Sequence, residues 1–79
     1  MKLRVLFFSV LRDITATDEV TLEVPAGATM GDLLTQIESR WPKLRDWENS
    51  LLLALDQTYV KRTEPLHDDA EVAIMPPVQ

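Results

Sequence analysis

Glu71-Val72-Ala73-Ile74-Met75-Pro76-Pro77-Val78-Gln79 stands last in the sequence. Its first five residues read as a strand, because apolar Val72 and Ile74 alternate with Glu71 and Ala73. Two prolines follow. Neither donates a ladder hydrogen bond, so a sheet must release the chain at Pro76. Each proline also pushes the residue before it toward extended backbone. The expected product is a buried strand followed by a stiff tail, Pro76, Pro77, Val78 and Gln79. Four residues in polyproline-like geometry reach roughly 12 Å, at about 3.1 Å per residue. On composition alone, a frayed end with two stop residues is the plainer reading.

Such an apolar strand needs apolar neighbours, and the opposite end of the sequence supplies one. Residues 2–11 read as a first strand, with Leu3, Val5 and Phe7 on one face and Leu6, Phe8 and Val10 on the other. Residues 12–18 read as a polar connection. Residues 19–24 alternate cleanly, Val20, Leu22 and Val24 against Glu19, Thr21 and Glu23, as in a sheet with one covered face. These two strands form the simplest antiparallel hairpin, joined by more than a tight turn.

Pro25-Ala26-Gly27-Ala28 closes the second strand. Thr29 then reads as a helix N-cap, with Asp32 completing a capping box. Met30, Leu33, Leu34, Ile37 and Trp41 follow as one apolar stripe, and Pro42 stops the helix near Trp41. Residues 43–50 read as an irregular or short helical connection anchored by Leu44 and Trp47. Leu51 to Leu55 reads as a central strand buried on both sides, Asp56-Gln57 as a turn, and Thr58-Tyr59-Val60 as a short strand. A polar loop over 61–69, containing Pro65 and Leu66, leads into the last strand. The order β-β-α-β-β-β, with the terminal strands parallel at the centre and the helix across one face, is an α+β β-grasp, the ubiquitin-like roll. The expected organisation is one domain over 1–75 and a tail over 76–79.

A chain of 79 residues makes one small domain with a thin core, and with no cysteine it has no disulfide to help. The same lack excludes thiolate metal sites and cysteine nucleophiles. Met1 to Phe8 carries two basic residues before an apolar run, but Arg12 and Asp13 stand where a signal peptide needs small residues. No apolar run approaches the length of a membrane span. The expected setting is therefore cytoplasmic, with no membrane partner. A net charge of −5 argues against nucleic acid and suits ordinary solubility or a basic protein surface.

Side chains suited to catalysis are scarce. His67, before Asp68 and Asp69, is the one histidine, and turn chemistry explains this cluster better than a metal or a general base. Ser9, Ser39 and Ser50 have no triad around them. Gly27 and Gly31 make no phosphate loop. Apolar surface, in contrast, is in excess. One helix covers one sheet face; if Val5 and Phe7 face it, Leu6 and Phe8 face away. Phe8, Met75 and Tyr59 then gather on the uncovered face near the tail, as at a protein interface, unless Leu44 to Trp47 folds over them.

These residues carry a resemblance over essentially the whole chain. Val5-Leu6-Phe7-Phe8, Val24-Pro25-Ala26-Gly27-Ala28-Thr29, Leu52-Leu53-Ala54-Leu55-Asp56-Gln57-Thr58, Pro65-Leu66 and the ending Glu71 to Val78 resemble the small subunits of molybdopterin synthase. The ending is the most specific part. The resemblance implies a ubiquitin-like sulfur carrier that is not itself an enzyme and binds no cofactor. An activating enzyme adenylates its C-terminal glycine with ATP, and sulfur transfer makes a thiocarboxylate. The tail enters the large catalytic subunit and gives sulfur to precursor Z in molybdenum cofactor synthesis, within an expected heterotetramer.

Phe8, Tyr59 and Met75 match family positions that contact the large subunit and the activating enzyme, and Arg12 matches a basic position near them. The family's thiocarboxylate glycine belongs to a Gly-Gly expected directly after Gln79, and this sequence does not include it. Asp69-Ala70-Glu71-Val72 stands where the family often has Gly-Asp-Glu-Val; Asp tolerates left-handed backbone, so the turn is expected to survive. Two alternatives stay open. One is a sulfur carrier for thiamine, cysteine or tRNA thiolation. The other is a ubiquitin-like interaction module without sulfur chemistry.

Overall fold

The computed structural model describes residues 1–77. It contains strands β1 (Lys2–Phe7), β2 (Glu19–Glu23), β3 (Leu52–Leu55), β4 (Thr58–Tyr59) and β5 (Glu71–Met75), and helices α1 (Val10–Thr15) and α2 (Met30–Arg40). A 3-10 helix over Pro42–Trp47 follows α2. The sheet order is β2-β1-β5-β3-β4. β1 and β5 pair in parallel at its centre, with Val5 beside Val72 and Phe7 beside Ile74. All other pairings are antiparallel. This is the β-grasp expected from the element order.

Alternation decides what is buried. Leu3, Val5, Phe7, Val72 and Ile74 are all at or near zero exposure and face the same side. Met30, Leu33, Leu34 and Ile37 of α2 cover them. The helix begins where the sequence specifies it. Asp32 N–H donates to the Thr29 hydroxyl, and Thr29 N–H donates to the Asp32 carboxylate, closing the capping box. Its last cap is Trp41, immediately before Pro42. Trp41 packs edge-on against Phe7 with ring centroids 5.3 Å apart.

Three expectations need correction. The first strand does not run to residue 11; it ends at Phe7. Residues 12–18 are not simply a polar connection, because helix α1 occupies Val10–Thr15. The physical reason lies at Ser9. Its φ of 56° and ψ of −132° turn the chain sharply out of the sheet, so Val10 belongs to a helix rather than to the outer strand face. Leu11 then drops fully into the core, and Thr15 caps the turn locally by donating to the Leu11 carbonyl at 3.1 Å. Finally, the run expected as a strand over 51–55 forms one from Leu52, and Val60 falls just outside β4.

Leu44 is 1% exposed, and with Trp47 it joins the core between α1 and α2. The 42–47 segment therefore lies on the helix side. It does not fold over the opposite sheet face.

The final turn keeps its shape with Asp in place of glycine. Asp69 adopts φ of 61° and its N–H donates to the Lys2 carbonyl at 2.8 Å. Asp56 and Gln57 both have positive φ, as the two-residue β3–β4 hairpin requires.

Candidate functional site

Pairing register places the outward side chains in rows across the sheet. One row runs Leu6, Ala73, Ala54, Tyr59, because Leu6 is opposite Ala73, Ala73 opposite Ala54, and Ala54 opposite Tyr59. The next row toward the tail holds Met75 beside Leu52. Phe8 flanks it on the β1 side, with its N–H donating to the Ile74 carbonyl at 3.3 Å. Two alanines in the middle and larger side chains around them make a shallow apolar strip. With strands about 4.8 Å apart, the strip spans roughly 14 Å from Leu6 to Tyr59.

Phe8 is 43% exposed and Tyr59 69%, although each has an apolar ring to bury. Nothing in the described chain covers them. Phe8, Tyr59 and Met75 thus share one face, as their parity predicted. Arg12 joins them by a route the sequence did not suggest. Helix α1 carries it to the β1 side, where it lines a shallow depression with Leu6, Phe8, Asp18 and Glu19.

The opposite end of the same face is charged and self-neutralised. Arg4 donates to Glu71 at 2.7 Å and lies 3.7 Å from Glu19. Beyond it, His67 Nε2 bonds the Asp56 carboxylate, whose other oxygen accepts from Glu71 N–H at 3.0 Å. Those two hydrogen bonds hold the Asp56 carboxyl below its usual range, the backbone one more strongly. The bond to Asp56 pushes His67 up. The His67 cluster is thus a latch between the β3–β4 turn and the start of β5, as turn chemistry implied. Among the described residues no group of three His, Cys, Asp or Glu side chains is placed to hold a metal.

Between these features the tail departs. β5 ends at Met75, and Pro76 and Pro77 leave the sheet without ladder bonds. Its root is flanked by Phe8 on one side and Leu52 on the other. Val78 and Gln79, expected as part of the inserted tail, lie outside the described residues. The charged side chains beside the strip, Arg12, Asp18 and Glu19, lie at its β2 margin next to Leu6 and Phe8. The arrangement presents an exposed apolar strip with Pro76 and Pro77 leaving the sheet at its edge.

Sequence reasoning missed two features. Beside β4, an apolar groove is lined by Leu51, Leu52, Tyr59 and Val60 and edged by Lys61 and Arg62. Its signal was present in Leu51-Leu52, more consecutive apolar side chains than one covered face can bury. Glu38 on α2 is 7% exposed, with Oε2 unpartnered among the described residues. Burial, then Glu48, raises its carboxyl above the usual range against Arg62 and Arg45.

Comparison with known proteins matches residues 5–79 to the ThiS family. A molybdopterin synthase sulfur carrier subunit of Chlamydomonas reinhardtii is 39% identical over 80 residues, covering 99% of this chain and 96% of that protein. Among solved structures, a Pyrococcus furiosus protein assigned as molybdopterin converting factor subunit 1 superposes with a TM-score of 0.91. It is 30% identical and covers 99% of each chain. A complex of subunits 1 and 2 of molybdopterin-converting factor from Helicobacter pylori contains the same fold. There the TM-score is 0.73 at 20% identity, covering 100% of this chain and 97% of that one.

Proposed function

This chain belongs to the ThiS family, and on that premise we propose that it is the sulfur-carrier small subunit of molybdopterin synthase. It serves molybdenum cofactor synthesis by donating sulfur to precursor Z. The observation that carries this reading is the Pro76-Pro77 tail leaving an uncovered apolar strip at its root. Prolines limit the entropy lost when such a tail threads a narrow channel. An extended backbone also fits where a helix or loop does not.

The chain supplies position, and its partners supply chemistry. An activating enzyme uses ATP to adenylate the C-terminal carboxyl, and a sulfur donor displaces AMP to leave a thiocarboxylate. Phe8, Tyr59 and Met75 dock on the large catalytic subunit, with Arg12 at the margin. Pro76, Pro77, Val78 and Gln79 enter that subunit, and a following Gly-Gly carries the sulfur. The carrier itself is non-catalytic and holds no cofactor; two carriers and a large-subunit dimer make the heterotetramer. The Helicobacter pylori complex supports a large-subunit partner through a protein of the same fold. No helix among the described residues is long and apolar enough to cross a membrane, which is compatible with a cytoplasmic setting.

Intact mass of the protein expressed from its natural reading frame, incubated with ATP and a sulfur donor with and without the activating enzyme, tests this directly. We expect two glycines beyond Gln79 and, only with the activating enzyme, a gain of one sulfur-for-oxygen exchange. A mass ending at Gln79 with no exchange removes sulfur donation and leaves the interaction module.

A further inference from the structure

The apolar strip does not stop at Tyr59. Leu52 and Tyr59 also line the groove where β3 meets the residues after β4, together with Leu51, Leu53, Val60, Lys61, Arg62 and Thr63. Its volume is about 690 Å³. Antiparallel register puts it at the tail end of the sheet. Leu52 pairs with Met75, the last residue of β5, and Val60 N–H donates to the Leu53 carbonyl at 3.0 Å. The tail root therefore has apolar surface on both sides, the Phe8 side and the groove side.

The lip of the groove is fixed in place. Gly31 N–H, in the first turn of α2, donates to the Arg62 carbonyl at 2.8 Å, and Met30 N–H donates to the Glu64 carbonyl at 2.9 Å. A Cβ on Gly31 would stand 3.3 Å from that Arg62 oxygen, so the close approach uses the missing side chain. The Arg62 guanidinium donates to the Glu48 carbonyl and lies 3.6 Å from the Glu48 carboxylate, which neutralises it. Lys61 is different: it is exposed and has no ion pair among the described residues. On a chain of net charge −5, the groove thus has an apolar floor, a rigid lip and one free cation.

We propose that this groove receives a segment of the tail-accepting large subunit that presents an apolar side chain with a carboxylate beside it. The apolar group fills the space between Leu51 or Leu52 and Val60, and the carboxylate pairs with Lys61. A preformed lip reduces the ordering cost of this contact. The single rim cation gives the docked segment direction, since reversing that segment moves its carboxylate away from Lys61. This inference rests on the carrier reading for the identity of the partner.

The test titrates the large subunit encoded by the same genome against wild-type carrier, Lys61→Glu, Lys61→Arg and Phe8→Asp by calorimetry. A carbodiimide then joins apposed amines and carboxylates in the wild-type complex. We expect Lys61→Glu to weaken binding roughly tenfold at low salt, with Lys61→Arg near wild type. The carbodiimide should link Lys61 to an Asp or Glu of the large subunit. Wild-type affinity for Lys61→Glu alongside weakened Phe8→Asp overturns the groove and leaves the carrier reading intact. Wild-type affinity for both removes the large subunit as the partner of this face. A Lys61 link to a second copy of this chain overturns the proposed occupant.

Discussion

At the scale of single residues, Arg4, Arg62 and His67 each sit in a local closed unit with carboxylates. His67 and Asp56 form one of them, and their pH dependence follows from the directions of their shifts. His67 is raised above its ordinary value of 6.5, so its contribution to stability is full below about pH 6.5 and is lost as pH rises through the folded value. Asp56 is lowered from 3.8, so its contribution is present above about pH 4 and is lost as pH falls through the folded value. The latch is therefore complete between about pH 4 and 6.5. Urea midpoints measured at pH 5.5 and 8.5 should fall more on the alkaline side for wild type than for His67→Gln. Equal falls in the two proteins mean the imidazole is not paired. Glu38 is the contrary case: a buried carboxyl oxygen with no donor among the described residues is a cost to the fold, and Arg62, the stronger of its two offsetting cations, is already bonded to Glu48.

Elements differ in how plainly their residues announce them. α2 was legible to the residue at its start and to within a residue at its end, because a capping box and a proline are local chemical signals. β5 was legible because alternation ended at two prolines. Parallel β1–β5 pairing followed from the apolar content of both strands. The helix α1 was not legible, because Phe7-Phe8-Ser9-Val10 continues a strand-like apolar pattern across the bend. Only the helical spacing of Leu11, Ile14 and Thr15 hinted otherwise, over too few residues to outweigh it. Arg12 consequently reached the candidate site by a path unseen in the sequence. The groove escaped notice for a related reason: it is formed where β3 and the residues after β4 come together, and no run of sequence contains it.

The bend at Ser9 makes the element question measurable. Its backbone lies where a side chain is strained at roughly 1–3 kcal/mol, whereas glycine adopts such angles readily. Ser9→Gly should therefore stabilise the fold by about 1 kcal/mol in urea unfolding, after the extra entropy glycine loses on folding. In a continuous strand the same substitution would destabilise by about 0.5–1 kcal/mol. The sign of the change separates the two backbones.

For the whole molecule, the decisive fact is that one small sheet has two faces and only one helical cover. Phe7 and Phe8 are adjacent in sequence and chemically identical, yet Phe7 is 1% exposed and Phe8 43%. Phe7 meets Trp41 across the core, while Phe8 flanks the tail root on the open face. An aspartate at the two positions should therefore fail in two different ways. Phe7→Asp buries an unpaired charge in the free protein and should abolish folding. Phe8→Asp leaves its charge in water until a partner arrives. Its unfolding free energy should stay within about 0.5 kcal/mol of wild type, and affinity for the large subunit should fall by at least about 2 kcal/mol, roughly thirtyfold. Circular dichroism in urea and calorimetric titration on the same preparations measure both quantities. Loss of folding and binding together in Phe8→Asp would make Phe8 a core residue and remove the open face as the docking surface. Folding intact with binding lost assigns the second sheet face to the partner, because α1, α2 and the 42–47 turn pack together on the other face.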